Sequence, residues 1–119
     1  MTTQQVAEKL VQYCREGKNI DAINELYADN IVSREQPGIP NELSQGKNAV
    51  LGKNNGWYQS VQEVHSAHIS DPVVTGNLIA VAMEMDVTYK EHGRNQMNEI
   101  ALYEVENGKI VKEQFFYKN

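Results

Sequence analysis

The chain holds one cysteine, Cys14, so it can form no internal disulfide, and a reducing, cytoplasmic setting is expected. Its place on an apolar helix face reads as a packed thiol rather than a nucleophile. No stretch approaches the roughly 20 apolar residues that a helix needs to cross a bilayer. Met1-Thr2-Thr3-Gln4-Gln5 also lacks the basic region and apolar run of an export signal. Positive charge is short as well. With 11 Lys and Arg against 16 Asp and Glu, the net charge is -5, which disfavours nucleic acid and anionic membranes as partners and suits small neutral or cationic ligands. There is no Gly-rich phosphate loop, no Ser-His-Asp arrangement and no Cys/His metal spacing, so the sequence names no cofactor and no metal. Repeats, linkers and low-complexity tracts are missing too. The 119 residues read as a single domain, 1–119, which buries roughly two thirds of its unfolded surface.

What is present is periodicity. Val6, Leu10, Tyr13 and Cys14 follow a helical period from a Thr3 cap to a stop at Gly17. Asn19 can cap a shorter helix in which Ile20, Ile23, Leu26 and Tyr27 share a face. Asp29-Asn30 then turns the chain into a strand, Ile31 to Glu35. After a loop forced by Pro37, Gly38 and Pro40, a third helix is expected from about Lys47 to Gln62. Within it Gly52 and Gly56 each cost about 1 kcal/mol relative to Ala, which suggests close packing or a bend. From His65 to Asn119 the chain reads as an antiparallel meander. Pro72 marks a bulge or edge, and turns fall at Gly76-Asn77, His92-Gly93 and Asn107-Gly108.

Closing both later hairpins with two-residue turns fixes a register. Asp86 then faces Glu99, Glu84 faces Ala101, Tyr103 faces Lys112, Ala101 faces Gln114 and Glu99 faces Phe116. Two carboxylates become cross-strand neighbours, an unfavourable pairing unless one is protonated or something binds between them. The other face would collect Met83, Met85, Ile100, Leu102 and Phe115. That apolar surface predicts a homodimer through the sheet, with Met83, Leu102 or Phe115 near the interface.

The element order, with Leu26-Tyr27-Ala28-Asp29-Asn30-Ile31-Val32, Gly46-Lys47-Asn48-Ala49-Val50 and Asn107-Gly108-Lys109-Ile110-Val111, resembles the nuclear transport factor 2-like superfamily and, within it, the SnoaL-like polyketide cyclase relatives. The resemblance implies an α+β cone: N-terminal helices packed on a curved, mainly antiparallel sheet around a pocket, usually as a homodimer. It does not select a reaction, because that superfamily includes isomerases, cyclases, epoxide hydrolases, dehydratases and proteins that only bind. Met85-Asp86-Val87 resembles the epoxide hydrolase segment that holds a catalytic Asp. Glu84 stands where those enzymes have Arg, and Gln114-Phe115-Phe116-Tyr117 stands where they have a further Asp.

Proton abstraction beside a carbonyl needs a carboxylate base in an apolar pocket and a neutral donor for the enolate oxygen. Asp86 is the expected base, Glu99 the protonated donor, Glu84 a further acid, and Tyr27 or Tyr103 a second donor. The expected pocket wall is Trp57, Tyr58, Asp86, Glu99, Tyr103 and Phe116, with Gln114 on the same face. Glu35 is placed at the cavity mouth, and His68 could enter the pocket. His65 and His68 point to opposite faces of a strand, which argues against a shared metal. Two function classes follow: a cofactor-independent isomerase, cyclase or dehydratase for a small apolar carbonyl compound, or a ligand-binding or interaction module.

Overall fold

The structure, a computed structural model, describes residues 1–40 and 42–117. The last two residues of the expected meander, Lys118 and Asn119, lie outside the described residues. Three helices come first or interleave: α1 (Thr3–Arg15), α2 (Asn19–Leu26) and α3 (Lys47–Ser60). The strands are β1 (Tyr27–Arg34), β2 (Leu43–Gln45), β3 (Val61–Ile69), β4 (Val73–Thr75), β5 (Leu78–Tyr89), β6 (Gly93–Glu106) and β7 (Lys109–Tyr117). They form a 7-stranded sheet in the order β2-β1-β7-β6-β5-β3, with β4 paired to β5. Among the described residues only the β1–β7 pairing is parallel. This is the α+β cone that the sequence predicts.

Local chemistry explains the boundaries. Thr2, one residue before the expected cap, closes a capping box with Gln5 and starts α1, and Gly17 at φ 71 ends it. Tyr27 leaves the helix to open β1. The turn expected at Asp29-Asn30 takes the form of a break in β1–β7 pairing between Tyr27 and Val32. A Cβ added to Gly52 or Gly56 would meet nothing within 4 Å, so these glycines allow no closer packing. Helix α3 instead ends earlier than expected, and Val61 already belongs to β3.

The helices cover one end of one sheet face. Val6, Leu10 and Val11 of α1, Ile23 and Leu26 of α2 and Val50 of α3 pack with Ile79, Val81, Ala101, Tyr103, Val105 and Ile110. Each large apolar side chain so buried stabilises the fold by about 1.5–3 kcal/mol. Two clasps hold this layer. The Tyr58 hydroxyl donates to Gly17 O (2.9 Å) and accepts from Asn19 N (3.3 Å), and Arg15 donates to Ile69 O (2.9 Å) and Asp71 (2.9 Å). The first ties α3 to the turn between α1 and α2, and the second ties α1 to the end of β3.

Candidate functional site

Alternation along the strands defines an inner face towards the helices and an outer face away from them. On β6, Ala101, Tyr103 and Val105 are buried in the core, whereas Ile100 and Leu102 are exposed on the other side. Glu99 and Met97 continue the inner face beyond the core. Pairing adds Met83 and Met85 from β5, and Phe115 and Tyr117 from β7. Helix α3 reaches over this stretch with Lys53 and Trp57. All these side chains are half-buried, so water still reaches this end of the cone.

Two turn details decide which residues arrive there. In the β5–β6 hairpin Tyr89 pairs with Gly93, so Lys90-Glu91-His92 forms a three-residue loop closed by Gly93 at φ 77. The expected register is therefore displaced by an odd number of residues, which exchanges the faces. Asp86 pairs with Gln96 and Glu84 with Asn98, while Glu99 pairs with Met83. Asp86 and Glu99 thus lie on opposite faces, contrary to the sequence reading. Asp86 instead accepts two hydrogen bonds from Arg94 (3.0 and 2.7 Å), whose guanidinium holds the carboxyl below its ordinary range. Glu84 is exposed, and His68 is exposed opposite it on β3, so neither enters the cone.

The β6–β7 hairpin closes on Asn107-Gly108 as expected, with Glu106 opposite Lys109, but the register shifts between Glu104 and Val105 and leaves Val111 without a partner. This bulge turns the rest of β7 over. Gln114 and Phe116, assigned to the pocket from the sequence, face outward opposite Leu102 and Ile100. Glu113, Phe115 and Tyr117 face inward opposite Tyr103, Ala101 and Glu99. The predicted apolar face divides accordingly: Met83, Met85 and Phe115 point inward, while Ile100 and Leu102 point outward beside Phe116. Of the three residues placed at the dimer interface, only Leu102 is on the outer face.

A polar network runs from the core to the open end of the cone. Glu113 is buried, and its carboxylate accepts hydrogen bonds from the Tyr27 hydroxyl and from Ser33 Oγ (2.7 Å). Lys53 Nζ donates to Ser33 Oγ (2.8 Å) and pairs with Glu35 (3.0 Å), with the Phe115 ring 5.3 Å away. The Tyr117 hydroxyl also donates to Glu35 at 3.4 Å. Among the described residues no buried side-chain nitrogen or oxygen lacks a partner, as the cost of burying unpaired polar groups requires. Trp57 Nε1 donates to the Tyr89 hydroxyl (3.2 Å), near Met97. Tyr58 packs edge-on against Trp57, and its hydroxyl is committed to the clasp at Gly17 and Asn19.

Electrostatics single out Glu99. Burial, then the negative Glu35 and Glu113, push its carboxyl up to about 7, with Lys53 opposing. Burial also raises Glu113, outweighing its two hydroxyl bonds and Lys53. It pushes the Tyr27 and Tyr103 hydroxyls well above their ordinary range. Cys14, reaching in from α1, is driven up to about 12 by burial, with Glu113 and Glu99 adding to it, which leaves it a packed thiol. The structure therefore brings Tyr27, Glu35, Glu99 and Tyr103 together and excludes Asp86, Glu84, His68, Gln114 and Phe116. The sequence reading missed Ser33, Lys53, Glu113 and Tyr117. The adjacent apolar pair Ile110-Val111 was the available signal for the bulge that brings in two of them. Among the described residues, no group of three or more His, Cys, Asp or Glu could hold a metal ion.

The outer face carries two open grooves. One of about 510 Å³ runs past Ala82, Glu84, Asn98, Ile100 and Phe116 and is also lined by Gln36 and by Met83, Glu99 and Tyr117 of the inner-face set; the other, of about 290 Å³, passes Leu78, Leu102, Lys112 and Gln114, with Tyr103 and Glu113 in its lining. Among the described residues, no helix is long and apolar enough to cross a membrane.

The family model of the SnoaL-like domain matches residues 1–117. A crystal structure from Mesorhizobium loti, provisionally described as a SnoaL-like polyketide cyclase (carbohydrate phosphatase), shares 36% identity; the match covers 98% of this chain and 100% of that one, with a TM-score of 0.89. A protein from Bacillus subtilis provisionally described as an isomerase aligns at 20% identity over 99% of this chain and 90% of its own (TM-score 0.75). A provisionally described polyketide cyclase from Streptomyces antibioticus aligns at 18% identity over 100% and 94% (TM-score 0.75). These last two likenesses concern the fold alone. No curated protein matches the chain.

Proposed function

The chain belongs to the SnoaL-like domain family, and from that premise we propose that the half-buried inner face beneath α3 is a small-molecule pocket for cofactor-independent acid/base chemistry. The observation that carries this reading is Glu99, a carboxyl on the inner face held near neutrality by its surroundings. A general acid or base works best when its pKa lies near the operating pH. In an isomerisation or cyclisation, the Glu99 carboxylate takes a proton from the carbon beside a carbonyl and returns it elsewhere. The Lys53 ammonium offers positive charge to the developing enolate oxygen. Met83, Met85, Met97, Trp57 and Phe115 supply the apolar wall, which suits a small apolar carbonyl compound. The cyclase and isomerase descriptions carried by similar structures fit that substrate class.

Exposed Ile100 (45%), Leu102 (43%) and Phe116 (40%) support a second element of the proposal, a homodimer through the outer face. The free Cys14 is compatible with a cytoplasmic setting. Hydrogen–deuterium exchange at the carbon beside the carbonyl, followed by NMR over a panel of small ketones, tests the chemistry without a known substrate. Exchange is expected, and Glu99→Gln should slow it by roughly a hundredfold. Binding without exchange would favour a ligand-binding module, and neither binding nor exchange would remove the pocket reading.

A further inference from the structure

Glu113 is left unused by this chemistry. It is buried beneath the network and opposite Tyr103, so it touches no ligand. A carboxylate in such a place destabilises the fold unless its oxygens are partnered, and here each accepts a hydrogen bond. Tyr27 donates to one oxygen and Ser33 to the other. A hydroxyl has a single proton. Having given it to Glu113, Ser33 offers only lone pairs to its remaining neighbour, Lys53 Nζ at 2.8 Å, which is a donor only. With Glu113 ionised, the directions in this chain are all forced: Lys53 donates to Ser33, Ser33 donates to Glu113, and Tyr27 closes the far end.

We propose that Glu113 is a positioning residue: by fixing the direction of the Ser33 hydroxyl it holds the Lys53 ammonium over Phe115, facing Glu35 and the open end of the cone. The inference rests on the pocket reading for its purpose, but the geometry it asserts needs no ligand. Without an acceptor behind it, the buried Ser33 proton would be left unpartnered, so the hydroxyl would swing towards another acceptor and Lys53 would keep only Glu35 as an anchor. Glu35 sits at the end of β1 and alone would hold the ammonium further out.

The test reads Lys53 directly. In protein labelled with ¹⁵N-lysine, Lys53 should give an ammonium signal protected from exchange with water, assigned by its loss in Lys53→Met. Ser33→Ala removes one hydroxyl with almost no change in volume and should abolish that protection, while Ser33→Thr restores the donor and should retain it. Glu113→Gln, which leaves one acceptor oxygen for the two hydroxyl donors Tyr27 and Ser33, should reduce it. If Glu113→Gln prevents folding, Tyr27→Phe serves as the second variant and should reduce the protection, because one carboxylate oxygen loses its partner. A shallow packing role would leave Ser33→Ala and Ser33→Thr alike. Unchanged Lys53 protection in folded Ser33→Ala or Glu113→Gln overturns the proposal, as does a Lys53 signal with no protection in the wild type. Failure of the ketone exchange assay with these NMR results intact would reject the pocket chemistry and leave the positioning chain standing.

Discussion

Exchanging Glu99 for Gln should abolish a fall in stability that the wild-type chain undergoes between about pH 4.5 and pH 7. The folded chain holds the Glu99 proton up to about pH 7, whereas an ordinary glutamate releases it near 4.5. Across that interval the unfolded state binds fewer protons than the folded one, so stability declines as pH rises. Below 4.5 both states are protonated and the stabilisation is complete; above 7 both are ionised and it is gone. At 1.36 kcal/mol per pKa unit the full loss is about 3 kcal/mol. Because water still reaches part of the side chain, about 1.5–3 kcal/mol is the expected range. The amide of the Glu99→Gln variant is neutral throughout, so that chain should lack this slope. Burial also raises the Glu113 carboxyl, but that residue is present in both chains, so the difference between them reports Glu99 together with its repulsion from Glu113. Urea unfolding at half-unit steps from pH 4.5 to 8 measures it. Parallel stability profiles for wild type and Glu99→Gln, or a wild-type Glu99 carboxyl that titrates near 4.5 by ¹³C NMR, would refute the reasoning.

Three further outcomes are expected. Tyr58→Phe removes the hydroxyl that joins Gly17 O and Asn19 N, and should lower stability by about 1–2 kcal/mol in urea unfolding without moving the Glu99 titration. Cys14, whose thiol is driven up to about 12, should fail to react with a thiol-specific disulfide reagent at pH 8 in the folded protein and react at once in denaturant. Sedimentation equilibrium at micromolar concentration should give a dimer for the wild type and a monomer for Leu102→Glu; a monomeric wild type would dismiss the outer-face interface.

Most elements were legible because they rest on local periodicity, whereas β2 and β4, three residues each, are too short to carry any. Val6, Leu10, Ile23 and Leu26 mark their buried helix faces, and Asn107-Gly108 marks its turn, with Asn107 at φ 51 and Gly108 at φ 75. Facing was less legible, since it depends on counting residues across turns. Reading His92-Gly93 as a two-residue turn, when Gly93 closes a three-residue loop, was enough to place Asp86 beside Glu99. Lys53 and Ser33 were invisible for another reason. They meet across separate elements, α3 and β1, at a distance of 20 positions in sequence, and no spacing rule announces such a contact. Glu99, Tyr27, Tyr103 and Glu35, named from the sequence, lie together in the structure because residue type and approximate place sufficed to locate them.

The unpaired Val111 gives the bulge in β7 a meaning that the chain's composition lacks. Deleting that one residue would leave Lys112 opposite Glu104 and Glu113 opposite Tyr103 in a regular ladder, so Glu113, Phe115 and Tyr117 would still face inward; closing the ladder with Val111 retained would instead turn them outward and draw Lys112, Gln114 and Phe116 in. The wall therefore depends on the bulge as much as on the residues that form it: a deletion of Val111 leaves the interior chemistry where it is, whereas a substitution that favoured the regular ladder would rewrite the whole wall in a single step.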